Sequence, residues 1–113
     1  MLVADSAESV EEERVLAGAT AALAFNDLVA MGLLSAVQAS GCRVPDDLSI
    51  VGFDDIPFAR YTTPPLTTAA VPATELGIQA WSRMRELLEG AEPGHPLTVL
   101  PELTVRGTTG PAA

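Results

Sequence analysis

The sequence predicts an α/β fold in which a parallel sheet is flanked by helices. Two apolar runs, residues 20–25 and 48–53, lack the polar–apolar alternation of a half-exposed strand, which is typical of strands buried on both faces. A long apolar helical segment separates them, so that strand, helix and strand form one right-handed βαβ unit. The two runs lead into Asn26 and Asp54, at the carboxyl edge where open α/β sheets bind ligands.

The first residues of the chain predict a strand and a short helix. Residues 1–4 are all apolar, as in a strand. Residues 8–16 carry four glutamates and one arginine, which indicates an exposed helix. Ser6 is a suitable cap for this helix and Gly18 a suitable stop.

The central helix, residues 27–40, is apolar around most of its circumference. Asn26 is expected to cap its amino end and Gly41 to close its carboxyl end. A helix this apolar needs cover on more than one side. The sheet covers one side, and the other is available to a second subunit.

Prolines mark the segment that follows the second strand. Residues 62–65 predict a rigid crossing, because proline removes a donor and fixes the backbone. Residues 66–71 follow as a further strand. Residues 73–89 have helical apolar spacing, Gly90 ends this helix, and Trp81 at the edge of the apolar stripe is expected to pack.

The last part of the chain predicts one or two short strands, at residues 97–100 and 103–105. The tail beyond Gly107 is expected to be frayed, as chain termini often are. No internal repeat or low-complexity tract interrupts the pattern.

Composition and charge exclude several classes of function. The chain of 113 residues fits one small domain, its formal net charge is −9, and all six of its basic residues are arginine. So acidic a surface repels nucleic-acid backbones, and the lack of lysine excludes a P-loop and Schiff-base chemistry. Cys42 is the single cysteine, which excludes an internal disulfide and a zinc site with several thiolates. No apolar run is long enough for a membrane span, so a cytoplasmic chain is expected.

The adjacent carboxylates of Asp54 and Asp55 allow a catalytic pair, a metal site or a polar clamp for a ligand. Neighbouring residues of an extended segment point in opposite directions, which weakens the catalytic interpretation. One carboxylate facing a crevice is more natural, and a role in the turn alone remains the simplest alternative. Asn26 can cap its helix through its side-chain oxygen and still offer its NH₂ group. An amide and a carboxylate at neighbouring strand ends suit sugar hydroxyls, which both donate and accept hydrogen bonds.

At these residues the sequence resembles the LacI/GalR family of bacterial transcriptional regulators. The order and spacing of the matching segments agree with the family. The resemblance as a whole covers about residues 21–111. The segments are AFNDLVAMG at 24–32, GCRVPDDLSIVGFDD at 41–55, TPPLTT at 63–68, ELG at 75–77 and LTVRGTT at 103–109.

The resemblance implies part of a type I periplasmic-binding-protein-like fold, in which two α/β lobes close on a small effector, usually a sugar. Residues 19–66 and 97–107 would belong to the carboxyl-terminal lobe, and residues 67–92 to the amino-terminal lobe. Residues 63–68 would form the crossover between the lobes. The two-lobe architecture is therefore expected to be incomplete in this sequence.

The resemblance also implies roles for individual residues at the sheet edge. Asn26 and Asp54 match positions that contact the effector in the family. By the same resemblance, Asp27 and Asp55 look more like structural neighbours of these two residues. No catalytic residue, cofactor or metal is implied, so we expect a binding protein and not an enzyme.

A homodimer is the assembly that the resemblance implies. Met31 matches a position on the subunit-contact helix of the family, and we expect Leu34 of the same helix to contact the second subunit as well. This expectation agrees with the apolar circumference of residues 27–40.

The departures from the family are large. The helix-turn-helix and hinge helix with which the family begins have no match here, and the arginine that clamps the effector would lie upstream. We therefore expect a fragment of a regulator that senses a sugar-like effector and reaches DNA only through a helix-turn-helix domain absent from this sequence. The alternative is a solute-binding protein of a sugar transporter, which would need an export signal. A third hypothesis, a small enzyme or a stand-alone dimer module, is supported only by the acidic pair and the apolar helix.

Overall fold

The structure is a computed structural model, and it describes residues 2–4 and 18–113. Its centre is a five-stranded sheet in which the strands lie side by side in chain order. The strands are β1 (Leu2–Ala4), β2 (Ala21–Ala24), β3 (Ser49–Asp54), β4 (Thr67–Ala70) and β5 (Glu102–Thr104). The helices of the described residues are α1 (Asp27–Ala39), α2 (Ala73–Leu88) and a 3₁₀ helix at Pro57–Tyr61. The helix predicted over residues 8–16 lies outside this part of the chain.

Four of the five strands are parallel, which confirms the predicted α/β class. β1 pairs with β2, β2 with β3 and β3 with β4 in parallel. β5 instead runs antiparallel to β4, with Glu102 opposite Ala70. The chain leaves the sheet at Ala70 and returns beside the same residue, so the returning strand has to run the other way.

The chain divides into two compact units. Unit 1 comprises residues 1–70 and 102–113, and unit 2 comprises residues 71–101. Unit 2 begins at Val71, directly after β4. The reason is that Thr67–Ala70 pairs with β3 and so forms part of the sheet of unit 1.

The core of unit 1 lies between α1 and one face of β2 and β3. Its buried apolar residues are Ala22, Ala24, Ala30, Leu33, Leu34, Val37, Leu48, Ile50, Ala59 and Leu66. On the opposite face of the sheet, Leu23 and Phe53 are 39% and 41% exposed. The prediction that these strands are buried on both faces is therefore correct for the helix-covered face alone.

The helix ends form as their capping residues predict. Asn26 is the N-cap of α1, with extended backbone and a side chain that accepts from Val29 N–H. Gly41 has a φ of +87° after α1, and Gly90 has a φ of +92° after α2. Glycine adopts these left-handed conformations without the steric cost that other residues meet, so both helices end where the sequence predicts.

The C-terminal segment differs from its prediction. Residues 97–101 form no strand, and the tail beyond Gly107 is not frayed, because Thr108 is fully buried. Thr108 Oγ1 donates to Ile50 O at 2.6 Å and accepts from Thr67 N–H at 2.9 Å. Ile50 N–H donates in turn to Thr108 O at 2.8 Å. Thr108 thus bridges β3 and β4 near their amino ends.

Helix α2 leaves its apolar stripe exposed. None of its residues is buried, and Trp81, which was expected to pack, is 61% exposed. Ile78 and Leu88 on the same helix are 65% and 75% exposed. Among the described residues, no helix combines the length and the apolar character that crossing a bilayer requires.

Candidate functional site

The carboxyl ends of β2 and β3 bring the two predicted ligand residues to one rim. These strands pair in parallel, with Leu23 opposite Val51. Asn26 and Asp54 each follow this pair by three residues, beyond which the structure gives no further pairing of the two strands. Asn26 is the N-cap of α1 just after β2, and Asp54 is the last residue of β3. We call these two residues the ligand rim.

The ligand rim offers one donor group and one acceptor group. Asn26 Oδ1 is occupied, because it accepts from Val29 N–H at 2.9 Å. The NH₂ group of Asn26 makes no hydrogen bond with any residue that the structure describes. The exposed carboxylate of Asp54 likewise has no hydrogen-bond or ion-pair partner among residues 2–4 and 18–113. A donor and an acceptor therefore stand free at neighbouring positions.

The turn after β3 has an unusual backbone. The φ angle is +122° at Asp54 and +60° at Asp55. A residue with a Cβ rarely adopts such angles, which cost about 1–3 kcal/mol each and persist only where the surroundings hold them. The residues whose side chains hold this turn in place are therefore part of the site.

Asp27 is the first of these supports. It is fully buried at the start of α1, where its Oδ2 accepts from Ile56 N–H at 2.8 Å and its Oδ1 accepts from Thr68 Oγ1 at 2.6 Å. Thr68 Oγ1 also accepts from Asp55 N–H at 3.3 Å. A buried carboxylate is tolerated here because it has two donors and lies at the positive end of a helix. Asp27 thus fixes the backbone on the far side of the turn.

Gly52 leaves the space that the Asp27 carboxylate occupies. A Cβ at residue 52 would overlap Asp27 Oδ1 and would lie 3.1 Å from Leu66 Cδ2. A glycine inside a strand often marks such a close approach. The small residue in β3 is therefore a requirement of the buried carboxylate.

Arg106 is the second support of the turn. Its Nη2 donates to Asp55 Oδ1 at 2.8 Å, and the two side chains are only 15% and 21% exposed. Its Nη1 donates to Leu66 O at 3.0 Å, and its backbone N–H donates to Thr67 Oγ1 at 2.9 Å. One arginine thus joins the segment after β5 to the start of β4 and to the turn after β3.

Asp54 and Asp55 do not form a pair of facing carboxylates. Asp54 is exposed, whereas Asp55 is bonded to Arg106. Within the described residues, no three histidine, cysteine, aspartate or glutamate side chains are grouped as metal ligands would be. The arrangement at this edge suits hydrogen bonding to a ligand better than acid–base catalysis.

The two residues expected at a dimer interface have different surroundings. Met31 is half-buried and packs against the edge of the core. Leu34 is only 3% exposed and packs inside unit 1, so it has almost no surface to offer a second subunit. Leu28 of the same helix is 67% exposed. Of the two predicted contacts, only Met31 keeps surface on the outer side of α1.

Sequence reasoning gave no role to Thr68, Arg106 or Thr108. Each makes a side-chain hydrogen bond to a residue at least 41 positions away in the chain. All three lie in segments that carry the family resemblance, TPPLTT and LTVRGTT. That resemblance was the one available signal, because no local pattern reveals the distant partners.

The topology and the ligand rim together define a class of protein. A sheet with unbonded polar side chains after its strands, from which the chain leaves to a second unit and then returns, is typical of two-lobed small-molecule binders. This chain belongs to the family of periplasmic-binding-protein-like domains, which matches residues 2–109.

Transcriptional repressors are among the relatives of this chain. It is 38% identical over 111 residues to the HTH-type transcriptional repressor PurR of Vibrio parahaemolyticus. The match covers 96% of this chain and 31% of PurR, so the chain spans less than a third of that relative. This relative is a transcriptional repressor, which favours the regulator over the transport alternative.

Solved structures of LacI-family regulators have the same fold. One, from Arthrobacter sp. FB24 in complex with lactose, is 34% identical with a TM-score of 0.81, over 92% of this chain and 40% of that one. Another, from Enterococcus faecium with bound ribose, is 30% identical with a TM-score of 0.83, over 95% and 40%. The resemblance to the LacI/GalR family is thereby confirmed, and it extends over part of the sensor region of those proteins.

Proposed function

We propose that this chain is the carboxyl-terminal part of the effector-sensing region of a LacI/GalR-type regulator, and that its ligand rim binds a sugar-like effector. The observation that carries the proposal is that the NH₂ group of Asn26 and the carboxylate of Asp54, which follow two paired parallel strands, have no partner among the described residues. A sugar presents neighbouring hydroxyls, one of which can accept from the amide while another donates to the carboxylate. The similar regulators that hold lactose and ribose support this class of ligand.

Asp54 supplies the larger share of the binding energy in this proposal. A hydrogen bond to an ionised group contributes about 1.5–3 kcal/mol, roughly twice the contribution of a neutral one. Asn26 adds a neutral donor and fixes the orientation of the ligand. A single free carboxylate beside an amide provides no acid–base pair, so we assign binding and not catalysis to the rim.

In the intact regulator, effector binding would act by shifting a conformational equilibrium. An effector that binds one state more tightly than the other changes the populations of the DNA-binding and released states. Contact with DNA would be made in the cytoplasm by a helix-turn-helix region outside this chain. The outer side of α1, including Met31, would form the contact of a homodimer.

The proposal can be tested by titrating the ¹⁵N-labelled chain with ribose and lactose. We expect chemical-shift changes at the amides around Asn26 and Asp54. Binding should be weak, with a dissociation constant of roughly millimolar order, because the two side chains of the ligand rim supply few of the contacts that hold a small ligand. Shift changes confined to other parts of the chain would contradict the proposal.

Matched variants identify the groups that bind. Asp54→Asn keeps the shape of the side chain and removes the charge, so affinity should fall by about tenfold or more. Asn26→Ser keeps a capping oxygen and removes the NH₂ donor, so affinity should fall while α1 stays capped. Asp46→Asn changes an exposed carboxylate in the turn before β3 and should leave affinity unchanged. Equal effects of Asp46→Asn and Asp54→Asn would indicate a general charge effect and not a site.

A further inference from the structure

We propose that Arg106 is a positioning residue for the ligand rim. Through its ion pair with Asp55, it holds the turn in which Asp54 presents a free carboxylate. This inference rests on the proposed binding role of Asp54. Arg106 does not belong to the ligand rim. In the chain it lies 51 positions after Asp55, its ion-pair partner.

The turn needs an external support because two successive residues have positive φ angles. Asp54 and Asp55 have φ angles of +122° and +60°, from which a free backbone would relax toward negative values. The hydrogen bond from Asp55 N–H to Thr68 Oγ1 is long, at 3.3 Å, and therefore weak. The bond from Ile56 N–H to Asp27 holds the residue after them. The ion pair of Asp55 is thus the strongest link at the centre of the turn.

Arg106 is suited to this role because its own position is fixed from several directions. Its backbone N–H is bonded to Thr67, and one guanidinium nitrogen is bonded to Leu66 O. The other terminal nitrogen is then held at 2.8 Å from Asp55 Oδ1. The planar guanidinium can serve Leu66 and Asp55 at once, whereas a lysine ammonium is a single point of charge on a flexible stem.

The geometry distinguishes positioning from direct contact with a ligand. The Asp55 carboxylate and the Arg106 guanidinium are directed at each other and are largely shielded from solvent. If the pair acts as a unit, removing either partner should have the same effect on the turn. Removing both should add little further, because the second change removes an interaction that is already lost.

The test compares Arg106→Gln, Asp55→Asn and the double variant in the 113-residue chain. The first readout is the one-bond Cα–Hα coupling of Asp54 and Asp55 without ligand, which distinguishes positive from negative φ. The second readout is the titration with ribose and lactose. Arg43→Gln breaks the other arginine–aspartate pair, Arg43–Asp47 at 2.9 Å, and is the matched control.

We expect the couplings of both turn residues to move toward values for negative φ in Arg106→Gln and in Asp55→Asn. The affinity for the sugar that binds should fall by about tenfold in each, as expected for one misplaced charge-assisted hydrogen bond. The double variant should resemble the single ones, and Arg43→Gln should resemble the unmodified chain. Asp55→Asn also guards against misfolding of Arg106→Gln, because it leaves the bonds of Arg106 to Leu66 and Thr67 in place.

Unchanged couplings in both single variants would overturn the inference. So would a loss of affinity in Arg106→Gln that Asp55→Asn does not share, because that result would make Arg106 a direct ligand contact. If the unmodified chain binds neither sugar, the proposed function fails for this ligand class. The couplings, which are measured without ligand, would still decide whether Arg106 holds the turn.

Discussion

Replacing Gly52 with alanine should destabilise unit 1 strongly. The new Cβ would overlap Asp27 Oδ1 and would come within 3.1 Å of Leu66 Cδ2. The carboxylate cannot move aside without losing its bonds to Thr68 Oγ1 and Ile56 N–H, at 2.6 and 2.8 Å. A methyl group at residue 52 is therefore incompatible with the hydrogen bonds by which Asp27 holds the turn after β3.

The size of the effect follows from these two bonds. Each hydrogen bond to an ionised group contributes about 1.5–3 kcal/mol, so displacing the carboxylate should cost about 3–6 kcal/mol. Alanine recovers about 0.5–1 kcal/mol of backbone entropy relative to glycine within a strand. The net loss should be about 2–5.5 kcal/mol, a large part of the roughly 5–15 kcal/mol that stabilises a typical domain.

The assay is urea unfolding followed by far-UV circular dichroism. Fluorescence is unsuitable, because the single tryptophan, Trp81, lies in unit 2. Gly77→Ala is the matched control: a Cβ there meets nothing within 4 Å, and alanine favours the helix by about 1 kcal/mol. An Asp27→Ser background removes the carboxylate that a Cβ at residue 52 would overlap. In that background, Gly52→Ala should lower the free energy of unfolding by less than about 1 kcal/mol. The reasoning is refuted if Gly52→Ala costs the same in both backgrounds.

Two further predictions concern the C-terminal segment and the outer side of α1. Thr108→Val should lower the free energy of unfolding by about 2 kcal/mol in urea, because it leaves the buried Thr67 N–H without a hydrogen-bond partner. Thr63→Val, at an exposed position, is the control and should cost little. Equal costs for the two variants would show that Thr108 is not anchored. Met31→Arg should shift the chain toward monomer in sedimentation experiments and leave it folded, whereas Leu34→Arg should unfold it, because Leu34 is 3% exposed. A folded Leu34→Arg monomer would show that Leu34 contacts a partner and not the core.

The sequence predicts the βαβ unit well because its signals are local. Apolar runs, the capping side chain of Asn26 and the stop at Gly41 each act within a few residues, and each element forms within one or two positions of its prediction. The placement of Asn26 and Asp54 at neighbouring strand ends follows from the same patterns together with parallel pairing. Local patterns are therefore sufficient to predict that both residues follow neighbouring strands, whereas their role toward a ligand stays a prediction.

The remaining features depend on contacts between distant parts of the chain. The tail beyond Gly107 looks polar and terminal in the sequence, yet Thr108 is buried because its hydroxyl completes the hydrogen bonding of Ile50 and Thr67. Trp81 looks like a packing residue but remains 61% exposed in unit 2. Neither outcome follows from periodicity, because each depends on whether a distant segment supplies a surface.

The two polar doublets at the sheet edge follow one physical rule. In Asn26-Asp27 and in Asp54-Asp55, the first side chain keeps a free polar group and the second is bonded inward. A doublet after a strand can in this way divide presentation from anchoring, with one side chain left unbonded and the next held by the scaffold. Asp27 and Asp55 each hold the turn after β3, the first through Ile56 and Thr68 and the second through Arg106. In both doublets the second residue therefore belongs to the scaffold, and the first is the one left available for the proposed ligand.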